Sequence, residues 1–202
     1  MKKRGSTSAT KKRVGPVRRR KTTRPGMRVL YAEGPIQKRV RELAKQIDRD
    51  YRGKVLHVVG ILEQCFMFMA DLTRALKVPV IFHFVQPTIR ERSEGSLAFR
   101  EIRYTPEFDA RGKDVLLVDG ILQSGLTLDH LVRSMLVQDP ASVRTACLIE
   151  KTAERKVDVI TDYVGFKTPA KFVVGYGLSY GGQSHNLPYV AQLRSGHVPA
   201  RG

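Results

Sequence analysis

The chain has 202 residues, 42% of them hydrophobic, with two cysteines and a formal net charge of +17. That length fits one domain with an appendage, and that apolar fraction suffices for a sizeable core. No apolar run approaches the ~20 residues that span a bilayer, and the basic N-terminus lacks the apolar stretch of a secretory signal. A cytoplasmic protein with no membrane partner and reduced cysteines is therefore expected.

Residues 1–26 carry eleven basic side chains (Lys2, Lys3, Arg4, Lys11, Lys12, Arg13, Arg18, Arg19, Arg20, Lys21 and Arg24) and no Asp or Glu. Like charge and low hydrophobicity leave little to offset ordering entropy, so a disordered arm is expected, with 27–202 as the folded domain. Such an arm predicts contact with RNA, DNA, a ribonucleoprotein or an acidic protein surface through counterion release. It holds no aromatic to stack on bases, so sequence-specific reading is not expected. It is acid-free and rich in Arg, Ser and Thr, as transit peptides are, but lacks their amphipathic character. Met27, directly after it, would also serve as a first residue.

Beyond the arm, Ile36, Val40, Leu43 and Ile47 recur at helical spacing and predict a helix over 35–51. "KVLHVVGIL" predicts a strand that ends in a loop at Glu63-Gln64-Cys65, and "FMFMADLTRAL" a helix. "VPVIFHFVQP" reads as the next strand. Residues 88–110 are polar and irregular, with a short strand around 97–104. "KDVLLVDG" is a strand, Thr127 to Val137 a helix, and "VRTACLIE", "YVGF" and "FVVGYGL" are strands. Strands alternating with helices predict an α/β fold with a mostly parallel sheet. Ligands in such sheets sit beyond the carboxyl ends of the strands. That points to loops 62–66, 119–127 and 150–156, with 88–110 as a possible lid.

The stretch "VLLVDGILQSGLTL" couples a buried strand to a Ser-Gly turn and a helix start. Backbone N–H groups there can cradle a phosphate, with Ser124 and Thr127 adding hydroxyls and Gly125 allowing close approach. An ordinary helix start capped by Ser124 fits the same residues. Asp119 could accept hydrogen bonds from ribose hydroxyls.

This stretch resembles the phosphoribosyl-pyrophosphate loop of type I phosphoribosyltransferases. "VVGILEQCFMFMADLTRAL" resembles the pyrophosphate loop of their hypoxanthine-guanine branch, and "DYVGFKTPAKFVVGYGLSYGGQSHNLPYV" resembles its purine-binding region. The resemblance implies a central sheet flanked by helices, with a small hood built from the N-terminal and C-terminal segments. It implies joining of a 6-oxopurine to phosphoribosyl pyrophosphate, magnesium as cofactor if the site is active, and a homo-dimer or tetramer. Residue by residue, Ser124, Gly125, Leu126 and Thr127 match the 5′-phosphate loop, and Asp119 matches an acid that contacts ribose and is a possible metal ligand. Lys151 matches the reader of the purine O6, Phe172 the ring that stacks on the base, and Val173 the residue whose backbone meets the base edge. Lys171, Val174, Gly175 and Tyr176 belong to the same matching block.

The catalytic half departs from the pattern. Gly120 stands where a second ribose-binding carboxylate is expected, and Gln123 where an Asp would handle the N7 proton. Glu63 and Gln64 replace a Lys-Gly type pair. Ser179 replaces an Asp that supports magnesium, and His185 an Arg that contacts pyrophosphate. Thr88-Ile89 stands in for a Ser-Tyr pair. Glutamine is not a general base, a role typically worth ~10²–10⁴ in rate. The expectation is therefore a catalytically impaired protein that binds an inosine- or guanosine-monophosphate-like nucleotide as sensor or scaffold. The alternatives are an active purine-salvage transferase and an RNA-binding regulator, as in the pyrimidine-operon attenuators on related folds.

His57, His83, His130, His185 and His197 show no metal-ligand spacing, and His57 and His83 fall within strands. Cys65 reads as either a reactive thiol or a small apolar residue at a helix start. Met67 and Met69 read as core filler.

Overall fold

The computed structural model describes residues 26–87, 91–94, 97–100 and 108–194, the two short segments by backbone alone. The arm residues from Lys2 to Arg24, Thr88-Ile89 and His197 lie outside the described residues. Among the described residues there are three helices: α1 (Glu33–Asp50), α2 (Phe66–Ala75) and α3 (Leu126–Leu136). Five strands form a wholly parallel sheet: β2 (Leu56–Ile61), β3 (Val80–Val85), β6 (Asp114–Leu122), β7 (Ser142–Lys151) and β8 (Tyr163–Thr168), in the order β3-β2-β6-β7-β8. The central strands are near-continuous apolar runs because both faces are covered.

On one face, Ile36, Val40, Leu43 and Ile47 of α1 and Phe68 and Leu72 of α2 pack on Leu56, Val58, Leu116 and Val118. On the other, Leu128, Leu131 and Met135 of α3 pack on Val59, Val115, Leu117 and Cys147. Removal of this apolar surface from water, at about 25 cal/mol per Å², is the main force holding the three layers together. Met69 is buried and Met67 packs against the first cluster. Asp50, at the end of α1, accepts from Tyr163 Oη at 2.6 Å and pairs with Arg144 at 2.5 Å, which ties the helix to β7 and β8.

A second, antiparallel sheet joins the chain's distant parts: β1 (Met27–Tyr31), β10 (Val190–Leu193) and β9 (Val173–Val174), with Met27 opposite Leu193. This is the hood implied by the resemblance, standing at the end of the main sheet where the loops converge. The strand expected over 172–178 shrinks to two residues, because the chain turns back at Gly175, whose N–H bonds Leu178 O at 2.8 Å. Between β3 and β6, β4 (Glu91–Glu94) pairs antiparallel with β5 (Leu97–Arg100). The short strand expected around 97–104 is described over Leu97–Arg100, paired with β4, and its remainder lies outside the described residues. No helix among the described residues is long and apolar enough to cross a membrane.

Candidate active site

Strand β6 runs to Leu122, so Asp119 and Gly120 are strand residues rather than turn residues as expected. The connection to α3 is only Gln123 to Gly125. Gly125 begins the helix at φ 84°, and a Cβ there would stand 3.0 Å from Val157 Cγ2 and 3.3 Å from Val157 O. Only glycine meets both demands. Ser124 is not the helix cap: its Oγ accepts Leu126 N–H at 3.4 Å, and its carbonyl accepts Lys156 N–H at 2.9 Å. That carbonyl bond brings the 150–156 loop against the helix start. The next N–H groups, of Thr127 and Leu128, have no acceptor earlier in the helix, and the helix dipole favours an anion there. This geometry is compatible with an anion cradle and places the helix cap at Gly125 rather than Ser124.

The helix start opens on a cavity of about 450 Å³ lined by Ser124, Gly125, Thr127, Asp119, Glu63, Gln64, Gln123, Ser179 and His185. Leu126, expected with the cradle, does not line it; its side chain is 37% exposed and only its backbone belongs to the helix start. Asp119 accepts Ile121 N–H at 3.3 Å. Burial pushes its carboxyl up to about 7, only partly opposed by the N–H groups of Ile121 and Gly120.

A second cavity of about 390 Å³ is lined by Lys151, Lys171, Phe172, Val173, Gln123, Glu154, Ser179 and Tyr180. Both cavities share Gln64, Ile121, Gln123 and Ser179, so they form one continuous cleft. Lys151 is 4% exposed; its Nζ donates to Glu154 Oε1 at 3.0 Å and to Lys171 O. The Phe172 ring meets Tyr180 edge-on at 5.0 Å between centroids. Gln123 Nε2 donates to Glu154 Oε2. Sequence reasoning missed Glu154. The available signal was an acid three residues after Lys151 in a loop already expected at the site.

The departing residues divide into two kinds. Glu63, Gln123, Ser179 and His185 face the cleft. His185 Nδ1 also stands 2.9 Å from Gly177 O and helps hold the hood loop. Gly120 does not face the cleft: a Cβ there would meet Gln64 O at 2.2 Å. The space expected for a second ribose carboxylate is filled by the backbone of the 62–66 loop. Val174, Gly175 and Tyr176 do not line the cleft either. Val174 is buried in the hood, and Tyr176 Oη donates to Asp71, which also accepts from Gln37 Nε2 at 2.5 Å. Their place in the matching block reflects packing.

Cys65 is fully buried, and burial, reinforced by the Asp119 charge, pushes its thiol up to about 12. It is a packing residue rather than a nucleophile. His57 Nδ1 lies 3.1 Å from His83 Nε2, their rings stacked, and burial lowers the pKa of both.

Residues 28–180 match the family model of the phosphoribosyl transferase domain. The chain is 39% identical over 165 residues to the hypoxanthine-guanine phosphoribosyltransferase of Aquifex aeolicus, covering 81% of this chain and 93% of that protein. It is 37% identical over 169 residues to the hypoxanthine phosphoribosyltransferase of Salmonella typhimurium, covering 82% and 94%. It superposes on the crystal structure of a hypoxanthine phosphoribosyltransferase from Staphylococcus aureus with a TM-score of 0.77 at 33% identity, covering 86% of this chain and 94% of that one.

Proposed function

Because the chain belongs to the type I phosphoribosyltransferases, in their hypoxanthine-guanine branch, we propose that it joins a 6-oxopurine base to the ribose of phosphoribosyl pyrophosphate and releases pyrophosphate. The observation that carries this reading is the continuous cleft from the Lys151–Phe172 cavity to the start of α3. It has an end with the Phe172 ring and the polar groups of Lys151 and Glu154 for a base, and a helix start for the 5′-phosphate, as a nucleotide requires. Lys151 would donate to the purine O6, Phe172 would stack on the ring, the Val173 backbone would meet the base edge, and Asp119 would hold ribose hydroxyls. The relatives favour this active reading over the expected sensor without turnover, since those compared bear the names of transferases.

Magnesium fits the phosphate end. Among the described residues, Asp119 and Glu63 are the carboxylates lining that cavity, and a magnesium ion takes one or two carboxylates together with substrate phosphate oxygens. When bound, the ion would offset the charge of the departing pyrophosphate. Asp119 itself would orient the ribose from the floor of the cleft.

Nucleotide binding without turnover is the second reading, favoured by the absence of room for a carboxylate at Gly120. A coupled assay with magnesium, phosphoribosyl pyrophosphate and hypoxanthine or guanine separates the two, run beside calorimetric titration with inosine and guanosine monophosphate. Turnover above ~1 s⁻¹, the low end of common enzyme rates, is expected. Nucleotide binding with no turnover would establish the sensor instead, and no binding at millimolar nucleotide would defeat both.

The arm of residues 1–26 would add a sequence-independent polyanion contact to the folded part, supported by its eleven cations and lack of acids. Deleting it is expected to weaken RNA binding and to flatten its salt dependence, by ~0.7 in log–log slope per lost phosphate contact on single strands. A salt slope unchanged by the deletion would place RNA binding on the core.

A further inference from the structure

We infer that Glu154 takes the proton from purine N7 in this chain, replacing the acid that Gln123 does not supply. The inference rests on the transferase reading above. Gln123 and Lys151 approach the base edge from two strand ends, those of β6 and β7. Glu154 is strung between them: Oε2 accepts from Gln123 Nε2, and Oε1 accepts from Lys151 Nζ at 3.0 Å. O6 and N7 lie on the same edge of a purine. A carboxylate bonded to both the O6 reader and the side chain beside N7 therefore stands at that edge. It lines the same cavity as Phe172 and Val173.

The surroundings keep Glu154 in its ionised form. The Gln123 amide hydrogen bond, followed by the bond and charge of Lys151, keeps the Glu154 carboxyl below its usual range and hence ionised. The charged and titratable groups facing it are Lys151, Lys171 and, from the hood, Tyr180. The loop's other acid, Glu150, is held elsewhere by Lys167 at 3.3 Å and Arg155 at 3.8 Å. Lys151 uses two of its three N–H donors, on Glu154 and on Lys171 O, so one remains for O6.

The chemistry balances with the proposed substrates. The N9 lone pair of the N7–H tautomer forms the bond to ribose C1′. The C1′–O bond breaks, and its electron pair leaves with pyrophosphate. The N7–H bond then yields its proton to Glu154, and its electron pair returns to the ring, leaving the purine ring of the nucleotide neutral. Gln123 acts as a positioning residue, holding the carboxylate toward N7.

Two readouts test this. The first needs no turnover: calorimetry with 9-deazahypoxanthine, which keeps N7–H, and 7-deazahypoxanthine, which has carbon at that position, both with pyrophosphate and magnesium so that neither reacts. The parent chain is expected to favour the 9-deaza base by ~10-fold, about one charge-assisted hydrogen bond, and Glu154→Gln to bring the ratio to about 2 or less. The second is kinetic. Glu154→Gln is expected to lower kcat ~10²-fold, as for a lost general base. KM for the base should change little, the pH profile should lose its acidic limb, and Gln123→Asp added to it should restore at least part of the loss. An analogue ratio that survives Glu154→Gln overturns the inference, as does a kcat that is unchanged or raised in Glu154→Ala. Absence of turnover in the parent would defeat the transferase reading and the proton transfer with it, whereas with turnover present a lost analogue preference in the parent would overturn the role of Glu154 alone.

Discussion

Replacing Gly120 with Asp, the obvious repair of a missing ribose carboxylate, is expected to damage the fold rather than restore activity. A Cβ at this position stands 2.2 Å from Gln64 O, 2.5 Å from Gln64 C and 3.1 Å from Cys65 N. All three are backbone atoms, so no rotamer change relieves the clash. Overpacking alone costs about 1–3 kcal/mol, and a carboxylate pressed against a carbonyl adds the cost of burying an unpaired charge. We expect Gly120→Asp to lose about 3 kcal/mol or more in urea unfolding. Gly120→Ala should lose about 2 kcal/mol, since the clash begins at Cβ. A Gly120→Asp protein as stable as the parent would show that the 62–66 loop yields freely. The contact also joins two departures read separately in the sequence. Gly120 and the Glu63-Gln64 pair are one structural unit, and reversing one requires moving the other.

Asp119→Asn is expected to stabilise the folded chain above neutral pH while weakening nucleotide binding. The Asp119 carboxyl has an ordinary value of 3.8 and is raised by burial to about 7 in the fold. Between these values the folded state binds a proton that the unfolded chain has released. Stability from this group is therefore full below pH ~4 and declines as pH rises to about 7, with no further loss above. Three pH units correspond to ~4 kcal/mol at most. The side chain is only half-buried, so ~1–2 kcal/mol is the expected gain for Asn at pH 8. Urea unfolding at pH 4.5 and pH 8, in chelator, measures it. The advantage of Asn should largely vanish at the lower pH. Inosine monophosphate affinity should fall ~10-fold as the charged acceptor for ribose is lost. An Asn variant less stable than the parent at pH 8 would mean the carboxylate is favourably paired, contrary to this account.

Most of the fold was legible from short-range pattern. The α1 periodicity at Ile36, Val40, Leu43 and Ile47 names the buried face of the observed helix, and the apolar runs of β2, β6 and β7 mark the strands covered on both sides. The strands β1 and β10 were not legible individually. They are short, and their partners lie more than 150 residues apart, as in the pairing of Met27 with Leu193. No local period records such a pairing. The cradle was half legible. Ser124, Gly125 and Thr127 mark a helix start after a strand, but only the bond from Lys156 N–H to Ser124 O shows that the serine carbonyl braces a neighbouring loop while Gly125 starts the helix.

By itself, then, the sequence determined the layered α/β fold and the family, and it singled out residues that line the two ends of the cleft. Each of these depends on residue type and on spacing within one element or one loop. The tertiary structure alone decided what occupies the space between them. Gly120 is filled from outside by the 62–66 backbone, and Glu154 crosses from another loop to bridge Gln123 and Lys151. Both depend on atoms brought within hydrogen-bond or van der Waals distance from segments 31 to 56 residues apart. Interactions of that range fall off within a few ångströms, so only packing reveals them.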